Sequence, residues 1–306
     1  MTSTQVRLAT GPVSWGVDFA EAPANPLWTT VLDEIAATGL GALELGPVGF
    51  LPEDADTLRA ELARRKLTAV GSFVFDDLHD PTAHEQIIAT SERACRAIAA
   101  AQGKVLVIID RVSEERGASF GRSADARRLT EPEWASMLEC AHRIAEIASS
   151  HGLTPAFHPH AGGYVEFEDE IDRLVADTEL GLCFDTGHGA LAGIDAVAAL
   201  DKYRDRLVHI HLKDIDGQVL ERARAEKMIF WDALAAGVFC PIGDGVVDFA
   251  GVADRLTAAG YEGFATIEQD RVPGTGSPLD DIAASLLVLA GAGFQHASAA
   301  LELAAR

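Results

Sequence analysis

The sequence predicts an α/β fold: a single (β/α)8 TIM barrel that takes up residues 1–306 and ends with a C-terminal helix at about 293–306. Eight short apolar runs alternate along the chain with stretches of helical periodicity. The strand ends recur regularly, 27 positions from His158 to Asp185 and 26 from Asp185 to His211. Several runs end in a histidine or a carboxylate, which is where barrels of this kind carry their chemistry.

The eight apolar runs are the predicted strands. They cover residues 6–9, 42–46, 67–75, 104–110, 155–160, 182–188, 207–214 and 264–270. The run at 104–110 is almost wholly apolar, as expected of a strand buried on both faces of a parallel sheet. Helical periodicity predicts helices at 25–39, 54–66, 82–101, 131–150, 166–176, 194–203, 249–259 and 277–290. Asn25 and Pro26 would supply the cap and the first-turn proline of the first helix.

Two polar stretches are predicted as loops, and no linker divides the chain. Residues 111–130 are rich in glycine, serine and charge. Residues 215–246 follow the seventh strand, and a loop of that length at the active-site end of a barrel is expected to act in function, for example as a lid.

The composition predicts a cytoplasmic protein that does not bind nucleic acid or membranes. The formal net charge of -22 argues against nucleic acid and anionic membranes as partners, since both attract basic surfaces. No signal peptide is evident, and the cysteines are scattered as expected of reduced thiols. The uncharged run at 282–301 is interrupted by glycines, which favours a buried helix over a membrane span. A homo-oligomer is compatible with the sequence.

The run at 207–214 carries the strongest chemical signal. Its alternation places His209, His211 and Lys213 on one face of a strand and apolar residues on the other. Imidazoles and an ammonium on one buried face need carboxylates or a metal ion as partners. A functional site is therefore predicted at the end of this strand.

Four residues at neighbouring strand ends predict a metal site. They are His158, Asp185, His211 and Glu268, at the ends of strands five to eight. This set suits Mn²⁺, Co²⁺, Zn²⁺ or Fe²⁺ better than Ca²⁺, which prefers oxygen ligands only. Glu166, in the loop after strand five, is an alternative to His158 as the fourth ligand, and the pattern leaves both readings open.

Five further residues are candidates for substrate contact or proton transfer. His188 lies past a strand end and is predicted to face substrate, and His160 is a further candidate nearby. Lys213 would stabilise an oxyanion or form a salt bridge. Glu44 would contact substrate hydroxyls or form an ion pair. Trp15 would stack on a sugar-like ring or fill the core.

A divalent metal among these groups would polarise a ketone and stabilise the enediolate left by removal of an adjacent proton. Reprotonation of the enediolate gives isomerisation or epimerisation, and loss of a β-hydroxyl gives dehydration. The residues themselves do not choose between these outcomes.

Three segments give the chain a resemblance to the xylose-isomerase-like barrel superfamily, which includes endonuclease IV. They are Asp185-Thr186-Gly187-His188, the run from His209 to Asp214, and Glu268. Within the superfamily the chain most resembles inosose dehydratases (2-keto-myo-inositol dehydratases). The shared segments are Pro12-Val13-Ser14-Trp15, His158 to Gly162 and the loop from Gly237 to Gly245.

The resemblance implies a metal held by Asp185, His211, Glu268 and one group from the strand-five region. Sugar epimerases of the superfamily usually carry a glutamate at the position of His158, and this departure favours a dehydratase or another lyase. Glu166 would then supply the missing carboxylate. Proton transfer would be shared among His160, His188, Lys213 or Glu268.

The sequence therefore predicts a metal-dependent lyase of inositol catabolism, which removes water from a cyclic keto-polyol such as 2-keto-myo-inositol. Mn²⁺ or Co²⁺ is the expected ion, with Zn²⁺ or Fe²⁺ as alternatives. A ketose isomerase or epimerase, a lyase that cleaves keto-glycosides, and a barrel that binds sugars without catalysis are the rival interpretations.

Overall fold

A computed structural model describes residues 6–304, and its parallel strands form a barrel. The barrel strands are β1 (Arg7–Thr10), β2 (Ala42–Leu43), β3 (Thr68–Ala69), β4 (Gly71–Asp76), β5 (Val105–Asp110), β6 (Thr154–Phe157), β7 (Gly181–Asp185), β8 (Leu207–Leu212) and β11 (Phe264–Ile267). The remaining strands, β9 (Asp214–Ile215) and β10 (Phe239–Cys240), pair antiparallel outside the barrel.

The barrel closes because β3 and β4 are two parts of one strand. The sheet order is β3-β2-β1-β11-β8-β7-β6-β5-β4, with parallel pairing throughout. Val70 joins the two ends: its N–H donates to the carbonyl of Leu43 (2.7 Å), and its carbonyl accepts from the N–H of Lys104 (2.8 Å). The eight-stranded barrel predicted from the sequence is thereby confirmed.

Helices cover the outside of the barrel. They are α1 (Trp28–Ala37), α2 (Ala55–Arg64), α3 (His84–Ala100), α4 (Glu114–Gly117), α5 (Glu131–Ser150), α6 (Glu168–Asp177), α7 (Thr186–Leu191), α8 (Ala196–Lys202), α9 (Gly217–Glu226), α10 (Phe230–Ala235), α11 (Phe249–Ala258), α12 (Pro278–Gly291) and α13 (Gln295–Ala304). Short 3-10 turns cover Pro12–Trp15 and Arg204–Arg206.

Capping residues explain several of these helix starts. Asp54 accepts a hydrogen bond from the N–H of Thr57 (2.8 Å) at the start of α2. Thr130 and Glu133 form a capping box at the start of α5. Asn25 does not cap α1: its amide donates to the carbonyls of Phe19 (2.7 Å) and Ala20 (3.1 Å), and the helix begins three residues later than predicted.

The two predicted loops contain regular structure. Helix α4 lies within residues 111–130, and α9, α10 and β10 lie within residues 215–246, with β9 (Asp214–Ile215) at the start of that segment. The pairing of Ile215 with Phe239 fixes this second segment, which we call the β8–β11 insert, against the end of the barrel. The lid role predicted for the insert stays a prediction.

The uncharged run near the C-terminus forms two helices, α12 and α13. A turn at Ala292 and Gly293 separates the two helices. Within residues 6–304, no helix has the length and apolar character needed to cross a membrane. The predicted terminal helix is present, although its last two residues lie outside the described part of the chain.

Alternation along the strands sorts side chains between the barrel interior and the helical layer. On β5, Val107 and Ile109 join the interior cluster, while Leu106 and Ile108 pack with the helices. On β8, Ile210 and Leu212 face the helices, as predicted, so His209 and His211 face inward. The polar groups of the strand ends therefore converge above an apolar floor.

Candidate active site

The side chains of His158, Asp185, His211 and Glu268 meet at the carboxyl ends of β6, β7, β8 and β11. Asp185 Oδ2 lies 3.7 Å from His158 Nε2 and 3.6 Å from His211 Nδ1. Glu268 Oε2 lies 3.0 Å from His211 Nδ1. All four side chains are buried. We call these residues the four-residue cluster, and the structure brings them together as the sequence analysis expected.

The donor atoms of the four-residue cluster suit a cation. Asp185 Oδ2 and His211 Nδ1 are buried, and among the described residues they make ion-pair contacts but no well-aligned hydrogen bond. His158 Nδ1 is bonded to the carbonyl of Pro159 (2.8 Å), which leaves its Nε2 lone pair directed at Asp185. His158, Asp185 and His211 each offer a ligand atom within 4.8 Å of the others. Two imidazole nitrogens and two carboxylates therefore fit a divalent metal.

The charges around the four-residue cluster also favour a cation. Burial lowers the pKa of His158 well below its ordinary value, and the neighbouring His211 lowers it further, so His158 is neutral. Burial acts against charge on His211, but Cys183, Glu268 and Glu44 raise its pKa well above the ordinary range. Metal uptake would then release the His211 proton.

Glu166 does not lie in this cluster. Its Oε1 accepts from the N–H of Gly121 (2.6 Å), and its Oε2 accepts from Gly162 (3.0 Å) and Arg116 Nη2 (3.3 Å). The fully buried Arg116 also pairs with Glu170 (2.6 Å). The alternative in which Glu166 replaces His158 as a ligand is corrected, because this ion pair holds its carboxylate in the loop after β6.

Lys213 joins the four-residue cluster to a second group of polar side chains. Its Nζ lies 3.2 Å from both Asp185 Oδ2 and Glu268 Oε2, and 2.7 Å from Asp270 Oδ1. Burial alone would lower the pKa of Lys213, but the charges of Asp185, Asp270 and Glu268 hold it well above the ordinary value. The Lys213 side chain is therefore an ammonium. A metal bound by Asp185 and Glu268 would share these two carboxylates with it.

His160 and His188 lie beside this ammonium. His188 Nε2 is 3.2 Å from Lys213 Nζ and 3.3 Å from Asp270 Oδ2. The ring of His160 lies against that of His188, with centroids 3.8 Å apart. His160 lines the pocket, whereas His188 is buried beside it, and the substrate contact predicted for His188 stays a prediction.

Asp270 was missed by the sequence analysis. It stands two positions after Glu268, so strand alternation would have placed both carboxylates on the same face. Lys213 and His188 overcome the effect of burial and hold the pKa of Asp270 well below its usual range. Asp270 therefore anchors the Lys213 ammonium as a carboxylate.

Glu44 does not contact the pocket. Its Oε1 accepts hydrogen bonds from Thr266 Oγ1 (2.6 Å), His209 Nε2 (2.8 Å) and His211 Nε2 (3.0 Å). The predicted substrate contact is corrected: Glu44 directly follows the short strand β2, and its side chain points beneath the four-residue cluster. By accepting from Nε2, Glu44 directs the Nδ1 atom of His211 towards Asp185 and Glu268.

Trp15 does not contact the pocket either. Its indole N–H donates to Glu34 Oε2 (2.5 Å), and the ring packs in the main hydrophobic core. The 3-10 turn of Pro12–Trp15 turns the indole towards α1, so the predicted stacking on substrate is corrected. The core role, which was the other interpretation of Trp15, is the one that the structure shows.

The site opens into a small pocket lined by both polar and apolar side chains. Its polar lining comprises Asp18, His158, His160, His211, Lys213, Glu268 and Asp270. Its apolar lining comprises Val13, Phe73, Phe75, Ile109, Phe230, Trp231 and Leu234. Burial and the charge of Asp270 raise the pKa of Asp18 to about 7. Asp18 and the α10 residues lie outside the barrel strands; the α10 residues belong to the segment 215–246 that was predicted to act in function, whereas no sequence pattern pointed to Asp18.

Comparison with curated proteins finds relatives along most of the chain. The inosose dehydratase of Geobacillus thermodenitrificans is 31% identical over 282 residues, covering 90% of this chain and 93% of that protein. The inosose dehydratase of Bacillus licheniformis is 30% identical over 288 residues, covering 92% of this chain and 93% of that protein.

Solved structures share the fold. The probable 3-DHS dehydratase AsbF of Bacillus anthracis has a TM-score of 0.71 at 15% identity, over 93% of this chain and 99% of that one. The zinc-bound IOLI protein has a TM-score of 0.70 at 14% identity, over 94% and 98%. A family profile described as xylose isomerase-like TIM barrel matches residues 32–291. The chain is an enzyme of the xylose isomerase-like TIM barrel family.

Proposed function

We propose that this enzyme is a metal-dependent lyase that removes water from a cyclic keto-polyol such as 2-keto-myo-inositol, through an enediolate. The observation that carries the proposal is the two-part site, in which the four-residue cluster lies next to the Lys213 ammonium and the imidazole of His160. Curated relatives named inosose dehydratase, about 30% identical over most of the chain, support the same reaction.

His158, Asp185, His211 and Glu268 would hold the metal. When bound, a divalent ion supplies Lewis-acid stabilisation of the negative charge that develops on the ketone oxygen. The mixed nitrogen and oxygen donors suit Mn²⁺ or Co²⁺, our first expectation, and also Zn²⁺ or Fe²⁺.

His160 is our choice for the base. Its Nδ1 is bonded to the carbonyl of Ala161 (2.9 Å), which leaves the lone pair on Nε2 to take the proton next to the ketone. Burial, together with His188, lowers the pKa of His160 well below its ordinary value, so the ring is neutral near pH 7. The same nitrogen would return the proton to the departing β-hydroxyl, which leaves as water.

Lys213 and Asp270 would act on the charge that develops during this transfer. Lys213 Nζ would donate a hydrogen bond to the substrate oxygen. Its hydrogen bond to Asp270 Oδ1 (2.7 Å) keeps the ammonium at the edge of the pocket. His188 supports the same ammonium from behind, because its Nε2 lies within 3.2 Å of Nζ.

The position of His158 supports a dehydratase over an epimerase. Sugar epimerases that resemble this chain usually carry a carboxylate there, for both metal binding and proton transfer. Glu166, the other carboxylate of this region, is paired with Arg116. Among the described residues, the side chain that follows β6 and lies beside Asp185 is therefore the imidazole of His158.

Elemental analysis of the purified enzyme, combined with a keto-inositol dehydration assay, tests the proposal. We expect near-stoichiometric Mn, Co, Zn or Fe in the wild type, and loss of both metal and turnover in Asp185→Asn and His211→Ala. Glu166→Gln is the matched control and should keep its metal. A wild type that takes up no metal after reconstitution would rule out the mechanism. When the assay is run in heavy water, deuterium in the recovered ketone without loss of water would indicate an epimerase.

A further inference from the structure

Asp18 is a pocket carboxyl without a partner in the described part of the protein. It lies in the loop between β1 and α1 and lines the pocket together with Lys213, Glu268 and Asp270. Glu268 and Asp270 both contact the Lys213 ammonium. Among the described residues, nothing forms a hydrogen bond or an ion pair with the Asp18 carboxyl. A partly buried polar group without a partner costs free energy, so it is expected where a ligand supplies the partner.

The loop that carries Asp18 is fixed on the side of β1. The N–H of Gln269 donates to Ser14 Oγ (3.3 Å), which ties the loop to the segment after β11. Gly16 has a φ of +79°, and a Cβ on this residue would lie 2.7 Å from the backbone nitrogen of Pro273. The backbone on this side therefore brings Asp18 next to the end of β11.

Asn25 fixes the same loop on the other side of Asp18. Its amide donates to the carbonyls of Phe19 (2.7 Å) and Ala20 (3.1 Å), the two residues that directly follow Asp18. These are the bonds that keep Asn25 from capping α1. The backbone is thus held on both sides of a side chain whose own polar atoms are left for a ligand.

The strand order places Asp18 across the pocket from His160. The loop with Asp18 follows β1, and His160 follows β6. Strands β11, β8 and β7 lie between them, so β1 and β6 are four steps apart in the eight-stranded barrel. Loops that follow strands half a barrel apart reach its mouth from opposite sides. A substrate ring in the pocket would therefore meet His160 and Asp18 at different edges.

The surroundings of Asp18 favour its neutral form. Burial and the charge of Asp270 raise its pKa to about 7, against the opposing charge of Lys213. The imidazoles of His158 and His160, which line the same pocket, are held neutral by burial and add no positive charge. A neutral carboxyl offers an O–H donor and an acceptor, as a hydroxyl does, so the two groups can exchange a pair of hydrogen bonds.

We propose that Asp18 is a substrate-binding residue that fixes the orientation of the polyol ring. Its carboxyl would pair with a ring hydroxyl at the edge away from His160, so that the C–H bond next to the ketone faces His160 Nε2. This inference rests on the proposed function, because the orientation matters for the proton that His160 removes. No further proton-transfer group is needed, since Asp18 binds and orients only.

Calorimetric titration of the metal-loaded enzyme with myo-inositol tests the contact. This compound has a hydroxyl on every ring carbon and no ketone, so it binds without being turned over. We expect Asp18→Ala to bind it about tenfold more weakly than the wild type, the size of one or two neutral hydrogen bonds. Asp18→Asn keeps a donor and an acceptor, so its affinity should stay within about twofold of the wild type.

Glu21→Ala is the matched control. Glu21 is an exposed carboxylate further along the same loop and does not line the pocket, so its loss should leave the affinity for myo-inositol unchanged. Equal affinities in wild type and Asp18→Ala would overturn the inference. An Asp18→Asn variant that binds as weakly as Asp18→Ala would overturn it too, because the amide reproduces both hydrogen bonds of the neutral carboxyl.

Turnover of keto-inositol separates orientation from binding. In Asp18→Ala the kcat should fall about tenfold in addition to the rise in KM, because a ring held without Asp18 presents other positions to His160. The free energy of unfolding should not fall, because the carboxyl has no protein partner to lose. An unchanged kcat would show that Asp18 does not orient the ring and would overturn the inference.

The same measurements keep the two proposals apart. A wild type that dehydrates keto-inositol, with an affinity for myo-inositol that Asp18→Ala leaves unchanged, would retain the proposed function and exclude the role of Asp18. A wild type that binds myo-inositol through Asp18 but does not dehydrate keto-inositol would exclude the proposed function and retain the contact between Asp18 and a polyol hydroxyl.

Discussion

The two halves of the barrel use the same strand geometry for different purposes. At the carboxyl ends of β6, β7, β8 and β11, inward positions carry the four-residue cluster. On β4 and β5, the pocket-facing positions carry Phe73, Phe75 and Ile109. One half therefore provides ligands and proton-transfer groups, and the other provides an apolar surface.

The difference teaches how the polar half is maintained. Every buried polar atom there needs a partner, and Lys213 lies within 3.2 Å of three carboxylates, on Asp185, Glu268 and Asp270. A change to one member leaves the others unpaired. The apolar half is held by burial, which depends on volume rather than on individual partners. Substitutions in the two halves should accordingly affect different measurements.

The largest effect is expected for Lys213→Met, in the polar half. The variant removes the ammonium that would stabilise charge on the substrate, so turnover of keto-inositol should fall about 10²–10³-fold, as for loss of an oxyanion donor. Metal content should be kept, because the ammonium no longer competes for Asp185 and Glu268. Steady-state kinetics and elemental analysis measure the two quantities.

Lys202→Met is the matched control for this change. Lys202 lies on α8 and is about two-fifths exposed, where it pairs with Glu168 and Asp172 at the surface. Its loss should leave turnover at the wild-type level. Wild-type turnover in Lys213→Met would show that the polar half works without the ammonium.

Phe73→Ala should show the opposite behaviour, in the apolar half. Phe73 is buried with Val107, Ile109 and Ala156 inside the barrel, so its loss leaves a cavity. The free energy of unfolding should fall by about 3 kcal/mol, at the lower end for this substitution because the ring borders the pocket. Urea denaturation measures the change. Metal affinity should be unaffected, and loss of metal would show that the two halves are not separable.

The division between the halves was only partly predictable from the sequence. Strand alternation and regular spacing correctly placed Asp185, His211 and Glu268 at one end of a barrel. The same alternation, applied to Asp270, would have added it. These predictions work because inward and outward positions on a strand are set by local geometry.

Tertiary contacts decided the rest. Glu166 is drawn away from the four-residue cluster by Arg116, 50 residues earlier in the chain, and nothing local distinguishes that arginine from a surface residue. The α10 side chains that line the pocket come from the β8–β11 insert, whose position depends on the β9–β10 pair. Asn25 fails as a cap because its amide binds carbonyls of the preceding loop.

Glu44→Gln tests a contact between the two halves, with a smaller expected effect. Glu44 follows β2 and reaches under the pocket to His211 on β8. Glutamine keeps an acceptor near His211 Nε2 but removes the charge, so metal affinity should fall about tenfold, the lower end for such supporting residues. Competition with a chelator measures it. Glu34→Gln, which alters the Trp15 contact, is the control, and equal affinities in wild type and Glu44→Gln would limit Glu44 to packing.

The smallest expected effect concerns the pH dependence of the metal-free protein. Burial and the charge of His211 hold the pKa of His158 well below 6.5, the ordinary value that it regains on unfolding. As the pH falls below 6.5, the unfolded chain binds a proton that the folded protein does not, and the folded state loses stability. Between pH 7.5 and 5.5 this loss should amount to about 1 kcal/mol.

His158→Gln should remove that part of the pH dependence, because glutamine does not titrate. Urea denaturation of both proteins at the two pH values measures the contribution of His158 to the pH dependence of the unfolding free energy. A chelator is present so that metal binding does not contribute. A smaller fall in unfolding free energy for the variant is the expected result. The same fall in both proteins would mean that His158 accepts a proton inside the folded site. The polar half would then tolerate an added charge as readily as solvent does, which would contradict its dependence on matched partners.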